Sequence, residues 1–179
     1  GAAAQLRQVQ QEAEALTEEH GRVALVARGA KRPRSELRGV LQAFQPLTLS
    51  WAGTGELKTL VKAEWQGGFP LPGGAALLCG FYLNELLLKL LPREDPHPVL
   101  WNAYAEALHS LTADARPAAQ AVTLRRFEVR LLAELGYALV LDHDVDTRAP
   151  IDPAQRYHYA FDHGPRLLAA EPRTAFPIV

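Results

Sequence analysis

Residues 66–74 read QGGFPLPGG, two prolines and four glycines in an uncharged run of nine. Neither a hydrogen-bonded ladder nor a helix passes easily through so much proline and glycine, so the chain divides here. The hydrophobic period differs on the two sides. Ahead of the break, apolar and polar residues alternate, as in LTLSW (47–51) and ELKTLVK (56–62), the pattern of half-buried strands. Behind it, apolar residues recur at helical spacing, as in Leu100, Tyr104 and Leu108. The chain is therefore expected to be α+β, a small β-module followed by a mainly helical domain.

The β-module is expected to hold strands at 22–27, 39–43, 47–51 and 57–63. A turn at Gly53-Thr54-Gly55 and a basic connection around Pro33 join them into a small curled sheet or barrel. Residues 2–19 are rich in Ala, Gln and Glu, and Leu6, Val9, Ala13 and Leu16 form a thin apolar stripe, which predicts a short helix ended at His20-Gly21. Beyond the break, helices are predicted over 75–91, 98–111 and 117–135. Pro92 stops the first, and Pro117 suits the opening turn of the third. Short strands are expected at 138–141 and 157–161.

Charge is distributed unevenly. From Arg22 to Lys62 the chain carries eight basic residues against Glu36 and Glu56, whereas the whole protein has a net charge of −1. Local basicity on a strand-rich module is the footprint of a surface that follows phosphates. Phe44 and Trp51 lie in the same stretch, and single-strand binders pair a positive groove with aromatic platforms. The plainer alternative is that the arginines solubilise the sheet while both rings face its core. A second cluster, Leu124-Arg125-Arg126-Phe127-Glu128 on the third helix, could receive an acidic, aromatic peptide tail, or form salt bridges to acidic residues of the helix before it.

Signals for other chemistry are weak. Asp142-His143-Asp144-Val145-Asp146 has alternate carboxylates, but Thr147 and Pro153 occupy the positions where a calcium loop needs glycine and a carboxylate. His97 could pair with Asp95, yet no nucleophile has a recognisable setting. Gly53 to Lys58 lacks phosphate-loop spacing and runs into a strand. The single cysteine, Cys79, excludes an intrachain disulfide and a cysteine-rich zinc site, fits a reducing cytoplasm, and is expected to pack as a small hydrophobe. No stretch reads as a signal peptide or membrane span; residues 75–91 contain Asn84, Glu85 and Lys89. Methionine is absent, so Gly1 is not expected to be a native start and the chain is expected to be a fragment or a processed form.

Four strings in order resemble the bacterial RecO family: HGRVALVARGAKRPRSELRGVLQAFQPLTLSW, GELKTLVKAEW, LLCGFYLNELLLKLLPREDPHPVLWNAY and LRRFEVRLLAELGY. The resemblance covers roughly residues 17–161. It implies a non-enzymatic recombination mediator of the RecFOR pathway of DNA repair, without cofactors, cytoplasmic and nucleoid-associated. Such a protein has an N-terminal OB-fold and a helical domain. It binds single- and double-stranded DNA, anneals complementary strands, engages the C-terminal tail of single-strand DNA-binding protein (SSB), and with RecR helps load RecA. An adaptor that binds the SSB tail through its helical domain, with little DNA binding of its own, is the alternative.

Carried onto this chain, the resemblance makes Arg28, Lys31, Arg32, Arg34, Arg38 and Lys58 candidates for DNA contact. Arg125 and Arg126, with Leu124, Phe127 and Leu131, become candidates for the SSB-tail pocket. The implied division is a divergent segment at 1–16, an OB-fold-like domain at 17–68 and a truncated helical domain at 75–179. Three departures stand out. The family's first strand is replaced by the predicted helix or missing, which would leave an open barrel with an exposed edge. The loop at 142–150, where some relatives hold zinc with four cysteines, has none here, so no zinc is expected. Residues 162–179 match poorly, so part of the DNA-binding surface is expected to be absent.

Overall fold

The computed structural model describes residues 2–9, 12–30, 35–67, 70–160 and 163–168. Five strands come first: β1 (Ala2–Val9), β2 (Glu12–Thr17), β3 (Gly21–Val26), β4 (Pro46–Ala52) and β5 (Leu57–Trp65), with the short helix α1 (Glu36–Val40) between β3 and β4. They pair in the order β1-β2-β3-β5-β4, and β4 returns to β1 to close the barrel. All pairings are antiparallel except β3 with β5. This is an OB-fold-like module with its helix in the usual place.

The predicted N-terminal helix is thus corrected to two strands. Helix propensity differs among ordinary residues by only tenths of a kcal/mol, about 0.7 at most, so tertiary pairing easily outweighs it. β2 pairs with β3 along its whole length, from Glu12 opposite Val26 to Thr17 opposite Gly21. Its alanines are functional in packing: Ala13 and Ala15 enter the barrel core beside Val23 and Leu25, where larger side chains would crowd a small barrel. The open edge expected from a missing first strand does not exist, because β1 fills that position.

The strand predicted at 39–43 is likewise replaced by α1 and the turn after it. Leu37, Val40 and Leu41 sit at i, i+3 and i+4, one helical face, and all three pack onto the barrel core.

The helical half consists of α2 (Ala75–Leu90), α3 (Pro98–Ala113) and α4 (Pro117–Glu134), close to prediction. Leu83, Leu87, Leu100, Tyr104, Phe127 and Leu131 form its core. Burial pushes the Tyr104 hydroxyl pKa up, so it stays protonated and donates to Asn84 Oδ1 at 2.5 Å. Two residues of the β-module join this core, Leu16 and Phe44. Phe44 has φ +66°, which turns its ring out of the barrel onto Phe81, with centroids 5.1 Å apart. Gly80 makes room for it, since a Cβ there would lie 2.9 Å from the ring.

The strand expected at 138–141 is not formed; Val140 instead closes over Gly164. β6 (Tyr157–Ala160) pairs with a strand the period did not reveal, β7 (Gly164–Leu167), in a terminal hairpin.

Candidate functional site

The barrel positions the basic stretch. β3 pairs with β5 only from Leu57 to Thr59, so the chain beyond Val26 leaves the ladder beside the second half of β5, and α1 then lies against that strand. Arg28, at the start of this connection, is exposed and has no ion partner among the described residues. Lys31, Arg32 and Arg34 lie outside the described residues, as does the side chain of Arg38 on α1.

Lys58 faces elsewhere. Its ammonium pairs with Glu94 of the helical half and donates to the Gly55 carbonyl at 3.1 Å, and its side chain is only 11% exposed. That makes it a poor phosphate ligand and a good tie between the two halves. Arg22 is also engaged there, with its guanidinium donating to the Leu88 carbonyl at 2.9 Å.

Of the two aromatics weighed as either platforms or core rings, neither stands out in solvent. Phe44 is 3% exposed, in the helical core rather than the sheet's. Trp51 is half-buried on the barrel core and meets His20 edge-on, with centroids 5.2 Å apart. The exposed indole is Trp65, which sequence reasoning passed over. Its signal was its place: the last residue of a strand, next to the glycine-rich break.

The second cluster lies on a cavity of about 460 Å³ between α3 and α4. Ala103, Ala107 and Phe127 supply apolar lining, and Arg125, Arg126 and Arg130 border it. Phe127 and Leu131 are buried, while Leu124 is half-buried against the same core. The three arginines differ in freedom. Arg125 donates to Glu128 at 2.5 Å, and Glu128 also accepts from Tyr82, whose hydroxyl pKa is raised chiefly by that hydrogen bond. Arg130 reaches Glu106 on α3 at 2.6 Å. Arg126 is exposed with no counter-ion among the described residues. Arg125 is thus paired within α4 rather than with the helix before it, and Arg126 has no salt bridge among the described residues.

Asp144 is held by its own loop and by β7. It is 2% exposed, and its carboxylate accepts from the N–H groups of Asp146, Thr147 and Leu167 and from the Thr147 hydroxyl. These bonds, that of the Thr147 amide foremost, hold its pKa below the usual carboxylate range. No group of three His, Cys, Asp or Glu side chains suited to a metal occurs among the described residues. His97 stands at the start of α3, 3.3 Å from Asp95 and 3.7 Å from Glu134. Cys79 is half-buried against the helical core.

Residues 13–69 match the family described as recombination protein O N terminal, and residues 73–178 the one described as recombination protein O C terminal. The chain belongs to the RecO family. Both matches extend beyond the 17–161 inferred from the strings, and the second takes in most of the tail that seemed to match poorly. A DNA repair protein RecO of Aromatoleum aromaticum is 55% identical over 159 residues, covering 88% of this chain and 64% of that protein. The RecO of Nitrosospira multiformis is 59% identical over 155 residues, 85% of this chain and 62% of the relative. That of Ralstonia nicotianae is 52% identical over 164 residues, 92% and 59%. The chain spans about three fifths of the length of these RecO relatives. No described helix is long and apolar enough to cross a membrane.

Proposed function

We propose that this chain acts in DNA repair as a non-enzymatic recombination mediator. It binds single- and double-stranded DNA through the barrel and anneals complementary strands. It receives the C-terminal tail of SSB between α3 and α4 and works with RecR to load RecA. Annealing needs positioned cations that reduce repulsion between two phosphate backbones, and no covalent chemistry.

The observation that carries this reading is how the barrel's positive charge is disposed. Arg22 and Lys58 are engaged within the fold and Lys62 pairs with Glu64 on the surface, whereas the connection from β3 to α1 begins with Arg28, which has no ion partner among the described residues, and carries Lys31, Arg32 and Arg34, with Arg38 following on α1. Fluorescence anisotropy of a labelled single strand at about 50 and 200 mM salt tests it. The chain should lose affinity steeply with salt, and Arg32→Glu/Arg34→Glu should flatten the slope by about 0.7 per lost contact. Binding that ignores both salt and the double variant would remove DNA from the barrel.

Arg126 favours the tail site, since a carboxylate docking on the α3–α4 cavity would meet a guanidinium with no counter-ion among the described residues. By titration with an acidic peptide ending in phenylalanine, Arg126→Glu should weaken binding about tenfold or more, and Arg125→Gln less. Peptide binding without DNA binding would leave the adaptor reading in its place.

A further inference from the structure

Trp65 is 58% exposed. It opposes the buried Leu47 in the last pair of the β4–β5 ladder, where the strand ends, and its ring is left largely in solvent. The indole is held in position: its N–H donates to the Oε1 of buried Gln45 at 2.6 Å. The ring's one polar atom is thereby satisfied by protein, and its faces are left to a partner. It borders an open cavity of about 430 Å³ with Gly39, Val40, Gln42, Gln45 and Leu71. No lining residue is ionised, a Cβ at Gly39 would meet nothing within 4 Å, and the side-chain amide of the exposed Gln42 has no hydrogen-bond partner among the described residues.

We propose that this cavity is a nucleobase site in which one base of a single strand stacks on Trp65. The inference rests on the DNA reading above and adds to it a residue that distinguishes single strands from duplex. The wall of the cavity is α1, through Gly39 and Val40, and α1 ends the basic connection that starts at Arg28. A strand whose phosphates follow that connection is led to α1, which walls this uncharged recess beside Trp65. Stacking on an indole accepts any base, and a free amide alongside can hydrogen-bond a base edge. In a duplex the bases are already stacked and paired, so the recess gives the duplex nothing.

The test compares the whole chain with Trp65→Leu, Trp65→Phe and Arg32→Glu/Arg34→Glu on a labelled oligo-dT strand and on a duplex of equal length. Trp65→Leu should weaken the single strand roughly tenfold while leaving the duplex unchanged, and Trp65→Phe should stay close to the unmodified chain. Photo-crosslinking of the unmodified protein to an iodouracil-substituted strand, mapped by mass spectrometry, should place the adduct on Trp65, which needs no variant to fold. If Trp65→Leu binds the single strand normally while the double arginine variant does not, the platform is wrong and the DNA reading survives. Equal losses on strand and duplex would also overturn it. If the unmodified chain binds neither, both fall together.

Discussion

Gly21 occupies φ +65°, and a Cβ there would lie 2.0 Å from the carbonyl oxygen of Asp95. The two backbones touch at this point, and the Glu94 N–H donates to the Arg22 carbonyl at 3.0 Å beside it. Neither partner is a side chain that could turn away. Gly21→Ala should therefore destabilise the protein by about 2 kcal/mol or more in urea unfolding, beyond the cost of the left-handed conformation alone. Lys58 shows the same principle for charge: a residue that resembles a phosphate ligand by position is assigned to Glu94 once the helical half is in place.

Elements show how a polar residue can organise structure without a ligand. Asp144 ties the 142–150 loop to β7, since Leu167 donates to its second oxygen at 2.6 Å. Its pKa is lowered in the folded state, so the native form binds fewer protons than the unfolded one near that pKa. The resulting stabilisation is present above the unfolded value of about 3.9 and is lost as pH falls through the lower folded value. Hydrogen exchange followed from pH 6 downward should show the Thr147 and Leu167 amides losing protection below about pH 4. In Asp144→Ala the protection should already be absent at pH 6, and the acid step with it.

At the scale of the molecule, β2 joins the two halves because both its faces are buried. Ala13 and Ala15 point into the barrel, while Leu16 enters the helical core and Glu14 meets Arg93 at 2.5 Å and Arg22 at 3.8 Å. Two cores that share a strand should unfold together. We expect one transition by circular dichroism and by tryptophan fluorescence in the unmodified chain. Glu14→Ala leaves the shielded Arg22 without its carboxylate and should cost about 2–3 kcal/mol. The two probes should then separate, the barrel melting ahead of the helices; coincident curves in the variant would show that apolar packing by Leu16 and Phe44 suffices.

The sequence by itself determined the break at 66–74, the three helices and three of the barrel strands, because each depends on a local period or on proline and glycine. It also showed the family and the basic stretch, which are properties of residue order and count. Tertiary structure alone decided the rest. Ala- and Glu-rich residues 12–17 became a strand because β3 and the helical half bury both sides of it, an advantage that helix propensity cannot see. Phe44 went to the helices and Trp65 stayed exposed because ring placement follows ladder register and the ends of strands. Which cations lack a counter-ion among the described residues, Arg28 and Arg126 included, depends on which carboxylates folding brings within reach, and those partners are distant in the chain or a helical turn away.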